Sequence, residues 1–228
     1  VSLSVNTSCE NKLEIFETVQ GEGTDMGMPA FFIRLQGCSV HCFFCDEKDT
    51  WIKSEDNSLN LEPKEIIKRL EEMNPLLKRV VITGGEPTEQ NLKALITELI
   101  KSSFTVSVET AGTGEYSYQL FETYADDKKV SVTFSPKEIY SKTSKISDDR
   151  IWKECSELKF VVANKEACDY VISRIIPKLA EHGNNCSIYL TPDWFNMDPT
   201  KSMIINLLRE YPSRFRMGCQ LHKIIDMP

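Results

Sequence analysis

The sequence predicts an α/β fold in one domain over residues 1–228, a partial (β/α)6 TIM-like barrel, and three observations carry that expectation. Short apolar, β-branched runs alternate with amphipathic helical patterns, as in parallel β/α units. Six such runs suit a partial barrel better than a two-layer sandwich. Residues of unusual chemistry follow nearly every run, and parallel barrels build active sites from the loops at the C-terminal ends of their strands. A flavodoxin-like open sheet is the structural alternative.

Residues 1–11 read as a poorly ordered or peripheral segment. The six strands are "AFFIRL" (30–35), "RVVIT" (79–83), "FTVSVET" (104–110), "VSVTFS" (130–135), "LKFVVA" (158–163) and "SIYLTP" (187–192). Helical spacing of apolar residues spans 61–73, 91–102, 165–183 and 199–211. Asp198 before Pro199 has the pattern of an N-cap with proline in the first turn, and Gly183 that of a C-terminal stop. The Lys-rich stretch 136–157 reads as a loop with a short helix. After the strands come Gln36-Gly37 with a cysteine loop, "GGEP" (84–87), "ETAGT" (109–113), "SPK" (135–137), "TPDW" (191–194) and, behind a last apolar segment, "CQLHK" (219–223).

A formal charge of −7 and a pI near 5.2 argue against gripping nucleic acid through its phosphates, and favour small-molecule chemistry. No stretch approaches the roughly 18 apolar residues of a membrane helix. The N-terminus has no signal-peptide pattern, so the expected location is cytoplasmic. Of eight cysteines, Cys9, Cys155, Cys168, Cys186 and Cys219 are scattered and read as small buried hydrophobes.

The other three, Cys38, Cys42 and Cys45, lie in one tight loop, "GCSVHCFFC". Zinc takes thiolates at such spacings, with His41 as a conceivable fourth ligand, although His41 is adjacent to Cys42 and poorly placed for one tetrahedron. A redox dithiol accounts for Cys42 and Cys45 and leaves Cys38 idle. An iron–sulfur cluster uses all three and keeps one iron open to chelate a small molecule. In "GGEP", Gly84 and Gly85 permit close backbone approach and Glu86 supplies charge, while as a bare motif it is equally a turn.

C-x3-C-x2-C after the first strand, with Phe44 before the last cysteine and "GGEP" after the second strand, resembles the radical S-adenosylmethionine (SAM) superfamily. That resemblance implies a barrel of the radical SAM type, with a 4Fe-4S cluster on the three cysteines that cleaves SAM to a 5′-deoxyadenosyl radical. "EIFETVQGEG" (14–23), "FFIRLQGCSVHCFFCD" (31–46), "TW" (50–51), "VVITGGEP", "VETAGT", "SPK" and "QLHK" in this order are similar to the QueE-type 7-carboxy-7-deazaguanine synthase family. The family converts 6-carboxy-5,6,7,8-tetrahydropterin to 7-carboxy-7-deazaguanine, with ring contraction and loss of ammonia, in queuosine and deazapurine biosynthesis. Mg2+, a flavodoxin-like or other electron donor and a homodimer are implied as well.

Carried over by motif, Phe44, Asp46, Gly84, Gly85, Glu86, Thr110, Ser135 and Lys137 would surround SAM. Gln20, Glu22, Arg34, Glu109, Gln220, His222 and the carboxylate of Pro228 would meet substrate, with Arg34 on its carboxylate. Thr110 would also meet the pterin edge, Lys159 would face the interior, and Thr113 would be structural. Two positions depart from the family pattern. Glu47 stands where a Thr or Ser supplies a magnesium ligand, and Thr191 where a Gln is usual. A carboxylate still suits Mg2+, or else frees the site from added metal. The rival readings are another radical SAM enzyme, such as a glycyl-radical activase, and a zinc-stabilised binding module.

Overall fold

The computed structural model describes residues 1–8, 12–54, 56–124, 126–141 and 145–227, so Cys9 and Pro228 lie outside the described residues. In chain order the strands are β1 (Leu3–Asn6), β2 (Ile15–Val19), β3 (Pro29–Leu35), β4 (Ser58–Leu61), β5 (Arg79–Gly84), β6 (Thr105–Thr110), β7 (Val130–Phe134), β8 (Glu157–Val162), β9 (Ser187–Pro192) and β10 (Phe215–Met217). The helices are α1 (Pro63–Met73), α2 (Lys93–Lys101), α3 (Ser117–Tyr124), α4 (Ile151–Glu154), α5 (Lys165–Tyr170), α6 (Ile176–Glu181), α7 (Met197–Glu210) and α8 (Leu221–Ile224).

All strands share one sheet in the order β10-β9-β8-β7-β6-β5-β3-β1-β4, with β2 paired to β3 off this path. From β3 to β10 every pair is parallel and the order follows the chain. Right-handed crossovers that always step the same way put their helices on one face, whereas a flavodoxin-like sheet reverses direction once. The path begins and ends on different strands, so the sheet is a partial barrel, as the radical SAM likeness implies.

Period-two alternation divides the residues of each parallel strand between the core and the lumen. In β6, Val106 and Val108 are buried in the apolar core, while Glu109 lies in the wall of a central cavity. In β8, Leu158 and Phe160 join the core and Lys159 the cavity wall. One strand therefore supplies both the core packing and the polar side chains of the lumen.

Three expectations are corrected. Residues 3–6 are not peripheral: β1 is buried throughout and pairs antiparallel with both β3 and β4, and Leu3 and Val5 join the core. The cause is its position between two partners, which cover an unremarkable four-residue run. Helix α7 starts before Asp198, at Met197, and Asp198 pairs instead with Lys201 at 2.9 Å. Its first turn is tied by the Thr200 hydroxyl, which donates to the Asn196 carbonyl at 2.7 Å. The helix expected over 165–183 contains a π turn at Val171–Ile175 just ahead of Pro177, whose ring cannot donate the regular bond. Gly183 does follow the helix end, at φ 68°.

Candidate active site

A cavity of ≈ 540 Å³ opens where the loops after the parallel strands converge, a volume suited to a small ligand. Cys38, Cys42 and Cys45 all belong to its wall. Together with Val40, Ala111 and Phe44 they form a small apolar cluster separate from the main core. Burial pushes the Cys38 thiol up to about 12 and raises Cys42, which Lys137 counteracts. Thiols held neutral by burial lose their protons when a cation takes their place, and soft sulfur donors suit iron. His41 is not in the cavity wall and stacks on Trp51 with ring centroids 4.7 Å apart. Among the described residues no three His, Cys, Asp or Glu side chains are grouped to hold a single metal ion.

"GGEP" supports the cysteine loop from below. Gly84 has φ 128°, and a Cβ there would lie 2.2 Å from both the backbone N and O of Leu35. A Cβ on Gly85 would meet the Gly37 carbonyl oxygen at 2.1 Å. Free of side chains, the segment donates from Gly85 N to the Leu35 carbonyl at 2.9 Å and from Glu86 N to the Gly37 carbonyl at 2.7 Å. The glycines thus permit close approach to the chain's own backbone. Glu86 accepts from Thr88 N at 3.1 Å, the Thr88 hydroxyl at 2.5 Å, the Thr110 hydroxyl and Ala111 N at 2.7 Å. Burial pushes its carboxyl up while these donors hold it down. Glu86 and Thr110 line the cavity, with their polar atoms committed to binding the β6 loop to the β5 loop.

Part of the wall is ionic. Lys159, 8% exposed, contacts Glu109 at 2.8 Å and Glu22 at 3.1 Å. Glu109 also accepts from Gln20 Nε2 at 3.1 Å and the Thr83 hydroxyl at 3.2 Å. Burial would raise the Glu109 carboxyl, but Lys159 together with the Gln20 and Thr83 donors leaves the group below its ordinary value. Burial alone would lower Lys159, and the two carboxylates raise it. The expectation that Lys159 faces the interior agrees with this position.

At the mouth, the motif after β2 meets the motif after β10. Leu221 N donates to the Gly21 carbonyl at 2.9 Å, and a Cβ on Gly21 would lie 2.0 Å from His222 Nδ1, so the ring requires glycine there. Burial pushes His222 down, keeping the imidazole neutral at pH 7 although Glu22 favours its charge. Lys223 bonds Asp46 and reaches Gln220 Oε1 at 3.2 Å. Burial would raise the Asp46 carboxyl, and Lys223 brings it below the ordinary value.

Arg34 is placed differently from the expectation of a group waiting for a ligand carboxylate. Its guanidinium contacts Glu14 at 2.5 Å, without hydrogen-bond alignment, and Glu47 at 3.1 Å. Burial raises the Glu47 carboxyl, Arg34 lowers it, and Asp46 and Glu14 raise it further. Glu14 was not singled out in the sequence because its role depends on a contact across the β2–β3 pair. Phe44, Ser135, Lys137 and Gln220 line the cavity, and Thr113 does not.

Three buried polar groups in the wall have no hydrogen-bond partner among the described residues: Arg34 Nε, which has only its ionic contact with Glu14, the Thr191 hydroxyl and the Trp51 indole N–H. A Cβ on Gly218 would lie 2.3 Å from the Thr191 Oγ1, so glycine there leaves room for that hydroxyl. Buried donors without partners cost stability unless a ligand or water meets them. They are the structural signs that this cavity fits a polar small molecule.

The signature of the Radical SAM superfamily matches residues 32–158, which include the cysteine loop and "GGEP". The 7-carboxy-7-deazaguanine synthase of Buchnera aphidicola is 34% identical over 94% of this chain and 97% of its own length. The chain belongs to the 7-carboxy-7-deazaguanine synthase family of radical SAM proteins. The synthase of Escherichia coli is 39% identical over 45% of this chain and 53% of its own. The crystal structure of QueE from Escherichia coli superposes with a TM-score of 0.77 at 26% identity, covering 97% of this chain and 95% of that one. Family membership removes the zinc-stabilised binding module as a competing identity, and His41 stacked outside the wall agrees. Radical SAM membership implies a 4Fe-4S cluster and SAM. No helix among the described residues is long and apolar enough to cross a membrane.

Proposed function

We propose that this chain converts 6-carboxy-5,6,7,8-tetrahydropterin to 7-carboxy-7-deazaguanine, a carbon–nitrogen lyase reaction that contracts the ring and releases ammonia. The observation that carries the reading is the composition of one cavity wall, which holds three cysteine thiols and the Glu22–Lys159–Glu109 ion network in a chain of this family. Cys38, Cys42 and Cys45 would hold the cluster, and Phe44, Asp46, Gly84, Gly85, Glu86, Thr110, Ser135 and Lys137 would border SAM. When bound, these cofactors supply the electron and the hydrogen-abstracting radical.

The chain's own residues bind and orient. Glu109 and Gln20 offer acceptors to the amino and lactam N–H edge of a pterin, and Lys159 keeps Glu109 ionised for that task. His222, neutral, offers one donor and one acceptor at the mouth. Phe16 and Phe32, stacked with centroids 5.7 Å apart in the wall, exclude water from the reacting ring. An electron donor of the flavodoxin class, a homodimer and a cytoplasmic location belong to this reading and rest on the family likeness. The test is anaerobic incubation of the reconstituted protein with SAM, reductant and the carboxytetrahydropterin, followed by mass spectrometry for the deazaguanine. SAM cleavage to 5′-deoxyadenosine without that product would leave the radical machinery and remove the substrate assignment.

For Mg2+ the fit is poor. Glu47, in the position the family likeness makes a ligand, already has the Arg34 guanidinium as its counter-cation. Product formation is therefore expected to change by less than about twofold between chelator and added Mg2+, and Glu47→Thr to become roughly tenfold dependent on the metal. Loss of wild-type activity in chelator, restored by Mg2+, would show that the cation displaces Arg34.

A further inference from the structure

Cys155 and Cys186 lie side by side where two neighbouring strands begin. Cys155 follows α4 and comes two residues before β8, and Cys186 immediately precedes β9. These strands pair from Glu157 opposite Ser187, so both cysteines stand at the N-terminal edge of the sheet, and neither is in the cavity wall. Their sulfurs are 3.8 Å apart. Asn184 fixes the two segments together. Its Nδ2 donates to the carbonyls of Trp152 at 3.0 Å and Cys155 at 3.1 Å and lies 3.3 Å from Cys155 Sγ, while its Oδ1 accepts from Cys186 N at 2.8 Å.

The two thiols differ. Cys155 is 4% exposed, whereas Cys186 is only partly buried. The contact with the Cys155 thiol and the Arg214 guanidinium hold Cys186 below its ordinary value against burial and the Glu157 carboxylate. The same contact and burial raise Cys155. A partly exposed cysteine beside a buried one at 3.8 Å is the arrangement of an attacking and a resolving cysteine.

We propose that Cys155 and Cys186 form an intramolecular disulfide by exchange with a small-molecule disulfide, Cys186 attacking and Cys155 resolving. The Cys186 thiolate displaces one thiolate from the oxidant and forms a mixed disulfide. Cys155 gives its proton to solvent and displaces the second small thiolate, closing the Cys155–Cys186 bond. Two protein thiols lose two electrons, and one small disulfide becomes two thiols. The bond joins positions 31 residues apart and so restricts the unfolded chain. It does not depend on the proposed reaction, because neither cysteine touches the cavity.

The test uses the cluster-loaded chain, incubated anaerobically with oxidised glutathione, quenched in acid, alkylated and mapped by mass spectrometry without reduction. The expected product is a Cys155–Cys186 peptide pair two hydrogens lighter than its separate thiols, with a Tm roughly 5 °C higher that dithiothreitol reverses. Cys155→Ser should retain glutathione on Cys186, and Cys186→Ser should leave Cys155 unmodified. The proposal is overturned if both thiols of the native chain remain alkylatable while denatured chain couples them. It is equally overturned if Cys186→Ser accumulates the adduct on Cys155.

Discussion

Lys159→Met is expected to lower kcat/KM by a factor on the order of 100 to 1,000 and to make stability fall more steeply as pH rises. Removing one partner from a buried ion network strands the others, which typically costs about 3–5 kcal/mol. Here the stranded groups are Glu22 and Glu109, both held by the ammonium at 3.1 and 2.8 Å. Two carboxylates sharing a buried site cannot both remain ionised, so one takes up a proton and its pKa rises. In the wild type Glu109 lies below its ordinary value. A depressed carboxylate stabilises the fold above its unfolded pKa, and that contribution is lost as pH falls through the folded value. In the variant the raised carboxylate does the opposite, and stability declines as pH rises through its folded value. Tm measured from pH 5 to 8 should fall more steeply with pH for Lys159→Met than for the wild type, in which Glu47 and Glu86 are already raised by burial, while Lys159→Arg should recover part of the activity by restoring the charge. Identical Tm profiles for wild type and Lys159→Met would exclude the ion network as the source of both effects.

The six strands read from the sequence were visible because each is a run of apolar residues long enough to be buried by its neighbours on both sides. The antiparallel strands were not. β1 and β4 have four residues each, and β2 carries Glu17 and Thr18 in the middle of "IFETV". Their strand character comes from pairing with a distant segment, as Val5 does with Leu35 and Ile15 with Ile33, and no local pattern encodes it. β10, only three residues long, showed itself as a last apolar segment and no more.

The same distinction runs through the site. Cys38, Cys42 and Cys45 were evident because a nine-residue loop contains them all. Residues whose role depends on a remote partner were harder to place. Arg34 was expected to wait for a ligand carboxylate, yet two carboxylates of the chain hold it, one ahead of β2 and one in the loop after β3. Glu86 was expected to supply charge near SAM, and its oxygens instead receive donors from the β6 loop. The Thr191 hydroxyl was discounted for departing from the family residue, and it emerged as a buried donor with no described partner. Cys155 and Cys186 look like ordinary core residues until their 3.8 Å separation is known.

Gly84→Ala should cost roughly 4 kcal/mol, and Gly27→Ala only about 1 kcal/mol, although both glycines have positive φ. The difference is what a Cβ would meet. At Gly27, φ 87°, nothing lies within 4 Å, so only backbone strain is felt. At Gly84 the added carbon would sit 2.2 Å from Leu35 N and Leu35 O, both main-chain atoms of the adjacent strand. Neither can turn away as a side chain would, and β3 and β5 must separate where Leu35 pairs with Gly84. That separation also breaks the bond from Gly85 N to the Leu35 carbonyl and loosens the one from Glu86 N to Gly37, on which the cysteine loop rests. Gly84→Ala is accordingly expected to melt more than about 10 °C lower than wild type and to retain less iron after reconstitution, and Gly27→Ala to melt within about 4 °C of wild type with its iron unchanged. Equal losses in the two variants would mean that strain alone governs both positions, and that the close approach of β5 to β3 does not organise the cysteine loop.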